Sequence, residues 1–482
     1  MRRLRQCALL AVAAAVLSHC GGPAVPVGTV GHVTGFVGVV TADEPRAAMI
    51  GRDVLSAGGS AADAAVAMYF ALSVTMPASA GLGGGGACVA HDAKGKRTEA
   101  VDFMLRPAAS GFVPGAVPAA VPGNVRGMAA LHARYGVLRW EQLVFPAERI
   151  ARFGHPASRA FVAAVGDALP RLPADSDARA LYAGPDGAPL REGSDMRQLD
   201  LAGILGQIRA NGGGELYAGA VARRVSDSAR ASGIALAYED LGSARPSWSA
   251  PTRAPFGSHT VDFATTAGGA LGAQLWRTLG VDRRYGRGTV AERVYGLYQA
   301  TLDAIGPVPP YDPGIAAFAA LDAGGNATAC AVTLNGPFGT GRLMRGTGIF
   351  AARPPTPDAD PGLAIAPVVV SNPAVGNTYF AGAASGIAAP TALAGVLVRI
   401  LGDERRPDEA MPEPRAAPAG AGAALVETGA PAEAANRIAA AGARVTAVPA
   451  IGNVGIIACP DGRRCTGRSD PRGAGFAAGG TQ

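Results

Sequence analysis

Lysine is almost absent. Lys94 and Lys96 are the only two in 482 residues, and every other basic side chain is arginine. Set among so much alanine, glycine and proline, this bias points to a GC-rich genome and not to a ligand. Charge of either sign is sparse: 17% of residues are charged against 49% hydrophobic, which excludes disorder over most of the chain. The net charge of +6 is spread along the sequence. No Lys/Arg block beyond the first five residues, and no aromatic–basic module, is dense enough for nucleic acid, so no nucleic-acid partner is expected. The six histidines are scattered. No His/Cys/Asp cluster has ligand spacing, so neither a metal nor an organic cofactor is implied. The 68 glycines and 37 prolines follow no period, which excludes collagen and repeat arrays and predicts many turns.

The N-terminus carries an address. "MRRLRQCALLAVAAAVLSHCGG" begins with Arg2, Arg3 and Arg5. The apolar run that follows, Ala8 to Leu17, is too short to span a membrane as a stable helix. Leu17-Ser18-His19-Cys20 resembles a bacterial lipobox, although His19 stands where a small residue is usual. Residues 1–20 are read as a lipoprotein-like signal peptide with Cys20 as the lipid acceptor. Ordinary secretion and an uncleaved anchor are the alternatives. Residues 21–34 read as a Gly/Pro/Val linker. Export to the periplasm places the chain in an oxidising compartment. There Cys459 and Cys465, in "CPDGRRC", suit a disulfide across a hairpin. Cys88 and Cys330 lie in apolar, strand-like runs and are expected to be small core residues.

"FVGVVTAD", from Phe36, reads as a strand. Ala48, Ile50, Val54 and Leu55 mark an amphipathic helix stopping at Gly58-Gly59. Ser60 then caps a second helix, with Asp63 at the third position helping the exposed amides. That helix is apolar nearly all round, which predicts burial, and it ends before Pro77. "GLGGGGACVAHD", 81–92, predicts close backbone approach. No Lys-Ser/Thr follows the glycines, so it is not a phosphate loop. Residues 125–240 are largely helical, and 266–279 and 290–305 are further helices. Strands are expected at 100–103, 258–264, 315–322, 327–334, 364–370, 378–381, 444–448 and 454–459. The Pro/Ala/Glu stretch 407–418 suits an exposed loop. Helices and mostly antiparallel strands segregate, which suggests stacked sheets covered by helices.

Six collinear segments carry a resemblance. They are "VLSAGGSAADAAVAMYFALSVTMPASAGLGGGGACVAHD", "VPGNVRGMAALHARYG", "GELYAGAVARRV" with "EDLGS", "TTAGGALGAQLWRTL", "DAGGNATACAVTLNGPFGTG" and "CPDGRRCTGRSDPRGAG". Together they resemble the gamma-glutamyltranspeptidase (glutathione hydrolase) family. The resemblance implies an α+β chain with the N-terminal-nucleophile (Ntn) hydrolase fold. This is an αββα sandwich of two stacked, mostly antiparallel sheets flanked by helices. It makes residues 35–314 a large-subunit-like part and 315–482 a small-subunit-like part of one domain. It also implies a chemistry: a precursor cuts itself before a threonine, whose hydroxyl then attacks a γ-glutamyl amide with its own freed amine as base.

Here the sequence departs from the family. Asp322, Gly325 and Asn326 match the Asp-x-x-Gly-Asn that follows the nucleophile and fix the register. The nucleophile position is then Ile315. The second threonine, the histidine and the serine of the motif become Ala316, Ala317 and Ala319. No Ser, Thr or Cys lies between Leu302 and Asn326. Thr328, the next hydroxyl, opens the following strand. The family's Asp-x-Arg-Glu becomes Asp102-Phe103-Met104-Leu105, with Arg106 two positions off. The amide-rich segment after Gly348-Ile349 becomes Phe350 to Pro355, and the Ser-Ser pair becomes Leu363 and Ala364. The oxyanion Gly-Gly becomes Ser385 and Gly386. Thr333 and Asn335 persist, either as strand-end and turn residues or as ligand contacts. No catalytic residue is therefore assigned, and Thr333, Asn335, Ser385 and Gly386 are the candidate substrate-binding residues. The small, apolar replacements leave no paired charge for a zwitterionic substrate. The expectation is an exported, catalytically inactive family member whose partner is a γ-glutamyl compound or another small molecule. It would touch the membrane only through a lipid on Cys20. The alternatives are an active γ-glutamyl hydrolase with an unrecognised nucleophile, and a binder that reuses an apolar cleft.

Overall fold

Side-chain alternation along Ile315–Asp322 decides the layering. Successive residues of a strand face opposite sides of its sheet. Ile315, Ala319 and Leu321 pack into one hydrophobic core, and Ala316, Phe318 and Ala320 into another. A strand buried on both faces has to lie between two other layers. In the computed structural model, which describes residues 37–109, 114–184, 186–280, 288–306, 312–420, 422–460 and 465–479, it does. The signal-peptide and linker readings, with Cys20, fall on residues 1–36 and lie outside the described residues. The described residues belong to one compact unit.

The first sheet has seven strands in the order Ser247–Ser249, Arg97–Phe103, Gly85–Asp92, Ala327–Thr333, Ile315–Asp322, Gly38–Ala42 and Phe476–Gly479. The second has six: Thr252–Phe256, His259–Phe263, Val368–Ser371, Thr378–Ser385, Asn453–Ala458 and Thr466–Ser469. Neighbours in both are antiparallel. Val39, Ala329 and Ile315 of the first sheet meet Val369, Phe380 and Ile456 of the second. Outside the first sheet lies the helix Ala61–Thr75, buried at every residue. Helices Ala267–Leu275 and Ala389–Leu397 cover the second. The result is the helix–sheet–sheet–helix sandwich expected from the resemblance.

Local chemistry sets the joints. Ser60 accepts from the Asp63 amide (3.1 Å) while the Asp63 carboxylate accepts from the Ser60 amide (3.0 Å), the reciprocal cap predicted for this helix. Asp322 ties the hairpin to the same helix end. It accepts from the amides of Gly324 (2.9 Å), Asn326 (3.1 Å) and Ala61 (3.0 Å), and from Asn326 Nδ2 (2.9 Å). The glycine run 81–86 is explained by protein, not ligand: a Cβ at Gly83, Gly84 or Gly86 would strike the carbonyl oxygens of Phe350, Thr333 and Ala331.

Two expectations need correction. Cys88 and Cys330 are buried, but they are joined to each other. They sit directly opposite in neighbouring strands, with Cα atoms 4.1 Å apart. Cys459 and Cys465 also form a disulfide; the tip of their hairpin lies outside the described residues. The stretch 407–418 is no exposed loop. It holds a short helix, Pro407–Ala410, and a buried strand, Ala416–Pro418. Between them Glu413 receives Arg293, Arg399 and Arg405, and the fully buried Arg415 pairs with Asp470 at 2.6 Å. Burial pushes Arg415 down to about 10, against the attraction of Asp470. Charges reached from distant segments, not local polarity, hold this stretch inside.

Asp322→Ala leaves the Ala61 amide and the turn amides without their acceptor, at a cost of about 3 kcal/mol. The thermal unfolding midpoint is expected to fall by several degrees, and an unchanged midpoint would contradict the joint described.

Candidate active-site cleft

Ile315 opens its strand directly opposite Thr333. It is 4% exposed and forms part of the wall of a cleft of about 220 Å³. Gly314, just before it, has φ +59, and a Cβ there would come within 2.8 Å of the Pro337 nitrogen. Its amide donates to Asp312 Oδ1 (2.9 Å). The position that the resemblance gives to the attacking hydroxyl thus holds a branched hydrocarbon, packed between the sheets. Ala316, Ala317 and Ala319 are buried as well. None of these side chains offers a nucleophile, a base or a donor.

Of the four candidate binding residues, the structure brings two to this cleft. Ser385 ends the strand Thr378–Ser385, and Gly386 follows with φ +77; both line the cleft with Ile315. Thr333 and Asn335 do not line it. The Thr333 hydroxyl donates to the Pro313 carbonyl and accepts from the Asn335 amide (2.8 Å). Asn335, at φ +58, donates from Nδ2 to the carbonyls of Pro354 (3.0 Å) and Arg353 (3.3 Å). These bonds fasten the chain on either side of the cleft, which supports the strand-end and turn role. Arg106 is exposed and faces a separate recess beside Met104 and Arg245, so it does not replace the missing arginine. Phe350 belongs to an aromatic cluster with Phe338 (ring centres 5.2 Å apart) and Tyr182 (6.4 Å). An apolar packing unit thus begins the segment where the family's amide-rich motif would lie.

Asp43 is the site residue that sequence reasoning missed. It directly follows the strand Gly38–Ala42 and continues its pairing with the Ile315 strand. Its amide donates to the Ala317 carbonyl (3.1 Å), and its Oδ2 accepts from the Ala317 amide (2.8 Å). Its Oδ1 accepts from Asn453 Nδ2 (2.9 Å), and the Ser385 hydroxyl also bonds to it. Burial raises this carboxyl to about 7, opposed by the Ala317 and Ser385 hydrogen bonds and reinforced by nearby Asp470. The available signal was an acid closing the apolar run "FVGVVTAD". Asp470, Arg472 and Glu427 brace the wall from behind: Arg472 reaches Glu427 at 2.6 Å and Asp470 at 3.1 Å, and Gly473 and Ala474 follow into the cleft lining.

The raised Asp43 has a stability consequence. Between the unfolded value of 3.8 and about 7, the folded chain holds a proton that the unfolded chain has released. The stabilisation is therefore complete below about pH 4 and lost as pH rises through 7, by up to about 4 kcal/mol at roughly 1.4 kcal/mol per pH unit. Asp43→Asn is expected to flatten the decline in unfolding midpoint between pH 4 and 7; an unaltered pH profile would contradict the assignment.

Comparison with known proteins agrees with this architecture. The Gamma-glutamyltranspeptidase family model matches residues 47–304, more than half of the chain, and ends short of Ile315. The glutathione hydrolase proenzyme of Bacillus subtilis (strain 168) is 34% identical over 221 residues, covering 42% of this chain and 37% of that protein. The glutathione hydrolase proenzyme of Escherichia coli (strain K12) is 29% identical over 223 residues, covering 42% and 38%. The aligned region is thus less than two fifths of the length of either relative. The cephalosporin acylase structure from Bacillus halodurans superposes with a TM-score of 0.74 at 21% identity, covering 95% of this chain and 99% of that one. The last comparison speaks for the fold alone, that of the Ntn hydrolases. With the sequence match over more than half of its length, the chain belongs to the gamma-glutamyltranspeptidase family.

Proposed function

We propose that this is an exported member of the family that has lost self-cleavage and γ-glutamyl transfer and serves as a binding protein. The observation that carries the reading is Ile315. A hydrocarbon side chain at the head of the strand can neither cut the chain nor form an acyl-enzyme. Its neighbours argue the same way. Ala316, Ala317 and Ala319 are buried on a strand enclosed by two cores, where an unpartnered polar atom would be costly. Among the described residues no arginine, lysine or histidine lines the cleft to hold a substrate carboxylate. Two disulfides suit an oxidising compartment such as the periplasm, in keeping with the signal-like N-terminus and its lipid-acceptor candidate Cys20. Among the described residues no helix is long and apolar enough to cross a membrane.

One observation favours the alternative of an active hydrolase. The Ser385 hydroxyl bonds to Asp43, a carboxyl raised to about 7, where a general base works well at neutral pH. Against it, the Asp43 oxygens are already engaged by the Ala317 amide and Asn453.

The test is turnover of a γ-glutamyl anilide by the purified protein. No rate above the buffer blank is expected, nor from Ile315→Thr, because the substrate-holding charges are also missing. A rate abolished by Ser385→Ala would replace the proposal with the alternative.

A further inference from the structure

The cleft at Ile315 has an unusual charge balance for a chain of net charge +6. Among the described residues its charged lining is Asp43, Asp167 and Asp312, with no cationic side chain. None of the three has an ion-pair partner among the described residues, whereas carboxylates elsewhere, such as Glu413 and Asp470, are gripped by arginines. Asp43 is 7% exposed. Asp312 is half-buried, and Asp167 is exposed in the last turn of the helix Arg159–Ala168. That helix end adds its own partial negative charge. A concave surface of one sign with low-dielectric walls focuses its field on the space it encloses.

A second observation is independent of the acids. Ser79 is 5% exposed, lines the same cleft, and its hydroxyl has no hydrogen-bond partner among the described residues. The side chain is nearly enclosed, and its hydroxyl opens on the cleft, where a ligand can bond to it.

We propose that this cleft binds a small aliphatic ammonium ligand, a diamine above all, and turns away the zwitterionic γ-glutamyl group. The inference rests on the reading of the cleft as non-catalytic. Three features select the ligand class. Among the described residues no three His, Cys, Asp or Glu side chains converge closely enough to hold a metal ion. Carboxylates distributed around a cleft suit a ligand whose charges are separated. The walls between them are hydrocarbon, from Met76, Ala78, Ala160, Ala164, Ile315 and Pro337, which suits a methylene chain. The space, about 220 Å³, falls below the roughly 300 Å³ at which pockets for drug-sized ligands begin, so the ligand is small. A cation beside Asp43 also offsets the burial that disfavours its charge. A γ-glutamyl compound brings an α-carboxylate into a cleft whose described lining has three acids and no cation to receive it.

Isothermal titration calorimetry on the full chain tests this, with 1,4-diaminobutane as the probe at pH 8 and low salt. Saturable 1:1 binding is expected with a Kd below about 1 mM, while L-glutamate and γ-glutamylglycine give no saturable heat. Asp312→Asn is expected to weaken binding about tenfold. Asp167→Asn, at an exposed helix position that does not threaten folding, should weaken it by about threefold. Diamine heat no greater than that of sodium chloride at equal ionic strength overturns the inference. So does tighter binding of glutamate, or an affinity unchanged in both variants. Anilide turnover is read on the same preparation. Turnover refutes the non-catalytic reading, whereas absent turnover with absent diamine binding refutes this inference alone.

Discussion

The strand Ile315–Asp322 is buried on both faces, and that constraint governs the site. A polar side chain survives in such a strand only where something pairs with it or where chemistry requires it. Asp322 survives because four donors converge on it and tie the hairpin to the helix Ala61–Thr75. Ile315, Ala316, Ala319 and Ala320 have no such duty, and each fills its share of one core or the other. The same strand therefore keeps its structural acid while holding only hydrocarbon at Ile315 to Leu321.

Around that strand the remaining polar residues divide by the partners they find. Thr333 and Asn335 bind backbone, and so hold the chain on either side of the cleft without facing it. Asp43 links the Ile315 strand to Asn453 and Ser385 of the second sheet, so both sheets meet at one buried carboxyl. Asp312 accepts from the Gly314 amide, and neither it nor Asp167 has an ion-pair partner among the described residues. The described lining of the cleft at Ile315 thus carries carboxylates and no cation.

Much of the fold could be read from the sequence because its signals are local. Ser60 and Asp63 sit three apart at a helix start, and Asp322, Gly325 and Asn326 mark a turn whose geometry needs them. Those three also set the register that placed Ile315. What escaped depends on strand neighbours distant in sequence. Cys88 and Cys330 read as core residues because nothing local says that their strands lie side by side in register. Residues 407–418 read as exposed because their charges are balanced by Arg293, Arg399 and Asp470, far along the chain. Asp43 read as the end of a strand; its role appears only once Ala317, Ser385 and Asn453 surround it. Arg106, two positions from the lost arginine, faces a different recess.

The central claim is that the chain stays whole because Ile315 cannot cut it. The intact mass of the purified mature protein tests this most directly. The account predicts a single species spanning the Gly314–Ile315 bond. Two fragments meeting at that bond would contradict it.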